Sequence, residues 1–135
     1  MLPKAIVTLL CGVGLYTSLF MLSKARCAAR GRLTEASVVE SPRARLFGGV
    51  PNALVGTVYY AALGVGIWLV RTPLAAVILL AAVALAALTS LFLAYSLVFI
   101  TRRPCPYCWS AHAVNWALAI LCSWLLGAGV LSSHG

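Results

Sequence analysis

Apolar residues in this chain gather into four long runs instead of alternating with polar ones, and basic residues stand at the edges of the runs. The first spans Ala5 to Leu22, between Lys4 and Lys24; the second runs from about Ala53 to Val70 and is closed by Arg71. The third runs from about Leu74 to Ile100, bounded by Pro73 and by Arg102 and Arg103, and the fourth from about Trp109 to Leu131. A helix crossing the hydrocarbon layer of a bilayer needs about 20 mostly apolar residues, so each run predicts a transmembrane helix. The first two lie near the lower length limit, and the third is long enough to tilt or protrude. Cys11, Tyr16, Phe20 and Met21 leave no small-residue cleavage site before Lys24, so the first run reads as a mature helix and not as a signal peptide.

Small residues stud the runs, among them Gly12, Gly14, Gly56, Gly64, Gly66 and the alanines around Ala81 to Ala87. They let helix backbones approach closely where lipid supplies no hydrophobic drive. The expected fold is therefore an all-α membrane protein, a bundle of four transmembrane helices in one domain over residues 1–135. Only the segment from Ser23 to Asn52 is a long connection. Within it, Thr34 to Glu40 predicts a short helix broken at Ser41-Pro42, and Leu46 and Phe47 suit the membrane interface, so the segment reads as a cap over one mouth of the bundle.

Composition agrees: 63% of the residues are hydrophobic and 9% charged, against about 25% charged in a soluble domain. The net charge of +8 does not indicate nucleic acid, because the basic residues flank apolar spans and form no soluble patch. By helix parity the long loop and the region of Cys105 share one membrane face. That face carries Lys24, Arg26, Arg30, Arg32, Arg43, Arg45, Arg102 and Arg103, eight residues against Lys4 and Arg71 on the other. The positive-inside rule places it toward the cytoplasm and both termini outside. Attraction of an acidic partner would give the same asymmetry on an outward face.

Candidate chemistry lies in Arg102-Arg-Pro-Cys105-Pro-Tyr-Cys108-Trp109, where the last helix begins. Pro106 suits a first-turn position, and the positive end of the helix with Arg102 and Arg103 stabilises a thiolate and raises the reactive fraction of the pair. Two cysteines at this spacing can close a disulfide, one attacked by a partner and the other resolving the mixed disulfide. Zinc is a competing use of Cys105, Cys108 and His112, but a fourth ligand is missing, since the chain has no Asp and His134 lies at the far end of the fourth helix. No metal is expected. Covalent haem attachment needs His where Trp109 stands. Cys11 and Cys122 lie inside apolar runs and read as small buried hydrophobes.

Polar residues at membrane depth are costly and generally face a cavity or a partner. His112 lies one turn beyond Cys108, Asn115 about two turns beyond it, and Asn52 opens the second helix from the same face. Each alone is compatible with a helix cap or an interhelical hydrogen bond. Together with Trp109 and Trp116 they outline a pocket suited to a flat, lipid-soluble ring with carbonyl oxygens, for which a quinone is the natural occupant, and the dithiol would reduce it by two electrons.

These residues form Cys105-Pro-Tyr-Cys108-Trp-Ser-Ala-His112-Ala-Val-Asn115, preceded upstream by Ser41-Pro-Arg-Ala-Arg-Leu-Phe47-Gly-Gly-Val-Pro-Asn52-Ala-Leu-Val-Gly56. Over nearly the whole chain this resembles the vitamin K epoxide reductase family. The resemblance implies a four-helix bundle around a quinone of the ubiquinone or menaquinone type, with electrons arriving from a thioredoxin-fold partner. It implies that Cys108 meets the quinone, that Cys105 exchanges with a loop cysteine, and that Asn52 and His112 hydrogen-bond the quinone oxygens, although the latter position is commonly Tyr. Prokaryotic members usually drive disulfide formation. Family members usually carry two loop cysteines; this chain has only Cys27, with Ala36 and Ser37 where the second is expected. Cys27 is thus either a relay or an idle exposed thiol. The eight-to-two charge count also departs from the usual outward-facing site and is compatible with an inverted, archaeal branch. Reduction of vitamin K epoxide itself is one alternative. A non-catalytic bundle or small transporter is another, but a transporter should place an acidic residue within the membrane, and Glu35 and Glu40 both lie in the loop.

Overall fold

A computed structural model of the chain describes residues 1–32, 34, 38–40, 42–45, 49–132. Its helices are α1 (Leu2–Ala29), α2 (Asn52–Leu69), α3 (Pro73–Ser96) and α4 (Pro106–Ser132). All four contain stretches long and apolar enough to cross a membrane, so the protein is an all-α, four-helix membrane bundle.

Most helix ends extend past the apolar runs. Helix α1 continues through Lys24 and Arg26 to Ala29, because Lys, Arg and Ala are strong helix formers and basic side chains favour the negative end of a helix. It stops at Gly31, whose φ of +67° reverses the chain, with Arg32 N donating to Cys27 O at 3.0 Å. Between α2 and α3 the chain turns over Thr72, which caps α3 by accepting from Ala75 N at 3.2 Å, with Pro73 in the first helical turn. Helix α3 leads into one π-helical turn, Leu97–Thr101, closed by Arg102 N donating to Leu97 O at 2.9 Å and followed by Arg102 itself at φ 49°. Helix α4 begins at Pro106, three residues before the expected start, since proline needs no hydrogen bond at the first position of a helix.

Where the described residues overlap the predicted short helix of the long loop, Val38–Glu40 is a 3₁₀ turn, and Pro42–Ala44 forms a second one. The expectations for Leu46, Phe47, Ala36 and Ser37 fall outside the described residues. An isolated antiparallel bridge between Arg45 and Pro51 returns the loop to the start of α2.

Helix α1 packs along α2 and α4, and α3 packs along α4, whereas α2 and α3 make little contact. They touch near the end remote from the loop, where Gly66 leaves space for Leu79. Two close approaches fix the α1–α2 register: a Cβ on Gly14 would lie 2.5 Å from Tyr60 Cζ, and one on Gly56 would lie 2.7 Å from Ser18 Oγ. At the remote end Trp68 Nε1 donates to Thr8 Oγ1 at 2.9 Å. The core below includes Val7, Cys11, Leu63, Ile67, Val83, Leu118 and Cys122, so both intramembrane cysteines pack as apolar residues.

Candidate active site: a dithiol at an intramembrane cavity

Cys105 immediately precedes α4 and accepts the first bond of its ladder, Trp109 N to Cys105 O at 3.1 Å. It is joined to Cys108 by a disulfide with Cα atoms 5.2 Å apart, and its Sγ accepts from Cys108 N at 3.2 Å. The sulfurs thus occupy the helix N-terminus, where free amides and the helix dipole favour negative charge on sulfur once the bond is reduced. Cys105 is buried, and Cys108 is partly exposed.

A cavity of about 840 Å³ occupies the loop-side half of the bundle. Cys108 lies in its wall, and Cys105 does not. Asn52, His112 and Asn115 line it as well, so the structure brings together the start of α2, the redox-capable sulfur and two polar residues of α4. On α4, Cys108, Ala111, His112 and Asn115 are spaced three and four residues apart, which puts them on one face. The rest of the lining is largely apolar, with Met21, Val55, Leu85 and Leu93 among the contributors. Nearer the loop the cavity itself separates α2 from α3.

The aromatic lining expected from Trp109 and Trp116 requires correction. Neither residue is in the wall. Trp109 is 42% exposed on the outside of α4, meeting His112 edge-on with ring centroids 6.3 Å apart, and Trp116 stacks on the same imidazole at 6.3 Å. They brace His112 from behind, because positions one and eight residues beyond Cys108 lie some 80–100° around a helix of 3.6 residues per turn. The wall's aromatic residues are Tyr59, Tyr60 and Tyr107, the last stacked on Phe20 at 4.1 Å.

Asn115 is engaged within the bundle. Tyr60 OH donates to Asn115 Oδ1 at 2.8 Å and, in a bifurcated bond, to Ala111 O at 3.2 Å, while Asn115 Nδ2 donates to Ser90 Oγ at 2.5 Å. This chain of bonds ties α2, α4 and α3 together beneath Cys108. Among the described residues, three buried polar atoms of the wall have no hydrogen-bond partner: Tyr59 OH, Ser96 Oγ and His112 Nδ1. Buried polar groups are normally paired, so an apolar cavity edged by such atoms suits an apolar ligand carrying a few polar ones. A quinone head group has that chemistry.

Tyr59, Tyr60, Ser90 and Ser96 were not singled out from the sequence. Their signal was available in that each is a polar residue at membrane depth, but which of them share a cavity depends on helix register. Cys27 lies in the last turn of α1, exposed and outside the cavity wall, although Arg26 and Ala29 on the same turn contribute to it. Among the described residues no cluster of His, Cys, Asp or Glu could hold a metal ion.

No curated protein matches the chain. The sequence profile described as the vitamin K epoxide reductase family matches residues 5–123, a stretch holding all of the cavity and both cysteines of the pair. Members of that family are membrane oxidoreductases associated with quinones. With four membrane-spanning helices and a helix-opening disulfide at an apolar cavity, this chain belongs to the vitamin K epoxide reductase family.

Proposed function

We propose that the protein is a quinone-dependent thiol-disulfide oxidoreductase that reoxidises a thioredoxin-fold carrier and so drives disulfide formation in other proteins. The observation that carries this reading is the placement of Cys108 in the cavity wall with its disulfide partner Cys105 outside the wall. The two sulfurs have different neighbours, as a relay between a protein dithiol and a lipid-soluble acceptor requires.

In the first half-reaction a carrier thiolate attacks Cys105, Cys108 leaves as thiolate, and the carrier's second thiol resolves the mixed disulfide. The carrier departs oxidised, leaving Cys105 and Cys108 reduced. A quinone of the ubiquinone or menaquinone type, when bound, supplies the acceptor for two electrons and two protons, and the pair returns to the disulfide. Cys108 faces that acceptor. Asn52 and His112 hold its oxygens, and the apolar lining excludes water from the reacting sulfur. The separation of α2 from α3 on the loop side supports access from the bilayer. Cys27, exposed at the end of α1, is the alternative entry point in this reading, a thiol that would exchange with Cys105 in place of direct attack by the carrier. The eight-to-two distribution of basic residues supports a cytoplasmic orientation of the cavity mouth.

The test is anaerobic mixing of purified protein with a reduced thioredoxin-like protein and a ubiquinone or menaquinone analogue, with quinol formation followed by absorbance. Wild-type protein turns over; Cys105→Ala and Cys108→Ala do not. Quinone reduction retained by Cys108→Ala overturns the mechanism.

A further inference from the structure

Ser96 is 1% exposed, lines the cavity, and has no hydrogen-bond partner for its hydroxyl. A hydroxyl on a helix can satisfy itself by bonding back to a carbonyl three or four residues earlier, which Ser96 does not do. In this protein Thr8, Thr17, Ser23, Thr57, Thr89 and Ser110 all do so. Ser96 is the last residue of α3, and the turn that follows is π-helical. The π turn is thus accompanied by a hydroxyl that its own helix leaves free. Such turns concentrate at functional sites.

The depth of Ser96 follows from register. Asn115 Nδ2 reaches Ser90 Oγ at 2.5 Å, which sets the antiparallel alignment of α3 and α4. Six residues further along α3, at about 1.5 Å per residue, Ser96 lies about 9 Å nearer the loop face. The same rise carried back along α4 from Asn115 reaches the first turn, where Cys108 stands. His112 is one turn deeper and also holds a buried nitrogen without a partner. Ser96 therefore lies at about the level of the cavity at which Cys108 enters its wall, with His112 one turn deeper.

We propose that Ser96 is a ligand-binding residue of this cavity, its hydroxyl donating to an oxygen of the quinone head group held beside Cys108. The contact rests on the quinone reading above. It explains why a buried serine is kept without a partner in an otherwise apolar wall, since leaving a polar group unpaired costs stability and the ligand removes that cost. A serine retained for the fold would behave in the opposite way, contributing stability in the absence of ligand.

The experiment compares wild type, Ser96→Ala and Ser96→Thr as full-length protein in detergent, with a short-chain ubiquinone analogue and with menadione. Without quinone, Ser96→Ala melts at the same temperature as wild type or higher, and dithiothreitol reduces its Cys105–Cys108 disulfide at the wild-type rate. Its KM for quinone rises about three- to tenfold, the span expected for one hydrogen bond, and the thermal stabilisation by quinone shrinks; Ser96→Thr recovers both. An unchanged KM overturns the contact, as does a lowered melting temperature with both half-reactions slowed. A wild-type protein neither stabilised by nor active on either quinone sinks the underlying reading and this contact with it, whereas active wild type with an indifferent Ser96→Ala sinks the contact alone.

Discussion

At Gly14 the absence of a side chain determines the packing. The ring of Tyr60 occupies the volume a Cβ would take, with Tyr60 Cζ 2.5 Å from that position, and its hydroxyl then reaches α4. Gly14→Ala is expected to displace the ring and cost about 1–3 kcal/mol, the range for overpacking a close-packed interior. Gly12, two residues away on the same helix, has nothing within 4 Å of a built Cβ, so Gly12→Ala is the matched control and should be neutral or slightly stabilising. Thermal unfolding of both variants in one detergent separates steric loss from any general intolerance of α1. Equal melting temperatures would remove Gly14 as a determinant of the α1–α2 contact. The dithiol is likewise a matter of single positions: because α4 starts at Pro106, three residues before the expected start, Cys105 precedes the helix and Cys108 lies in its first turn.

Among elements, α4 carries most of the chemistry and is held from two sides. Tyr60 of α2 and Ser90 of α3 bond to the same Asn115, so the polar residue expected at the cavity also links three helices. Interhelical hydrogen bonds in membranes are modest, because the dissociated helices find other partners in the lipid-embedded state. A double-mutant cycle with Ser90→Ala and Asn115→Ala should therefore give a coupling of about 0.6 kcal/mol and no more than about 1.7. Zero coupling in reversible unfolding would show that the bond does not bind α3 to α4. The face of α4 was legible in part: Cys108, His112 and Asn115 follow the helical period, and the same period excludes Trp109 and Trp116 from the cavity. Aromatic bulk drew the two tryptophans into the expected lining; their angular position on the helix places them behind His112.

At the scale of the whole molecule, orientation in the membrane has a direct probe. Cys11 and Cys122 are buried, and Cys105 and Cys108 are joined, so in the oxidised protein Cys27 is the exposed free thiol among the described residues. A membrane-impermeant maleimide added to intact cells should leave Cys27 unlabelled and should label it after the membrane is permeabilised, if the basic loop face is cytoplasmic. Labelling in intact cells places the cavity mouth outside and attributes the eight basic residues to partner attraction. Either result bears on the carrier, because thiol oxidation inside the cytoplasm works against a reducing pool and outside it does not.

The four spans were determined by the sequence alone, because a run of apolar residues long enough to cross a bilayer leaves the backbone no satisfied alternative to a helix. The shared face of the long loop and the dithiol followed from parity, and the position of the cysteine pair from Pro106 and its spacing. Tertiary structure decided what surrounds the sulfur. Which polar residues of α2 and α3 stand at the depth of Cys108 depends on interhelical register, and that register is set by contacts such as Tyr60 over Gly14 and Asn115 with Ser90, between residues 46 and 25 positions apart in the chain. In a chain whose runs are hydrophobic on nearly every face, periodicity cannot reveal which side turns inward, so Tyr59 and Ser96 could be found only once the helices were packed.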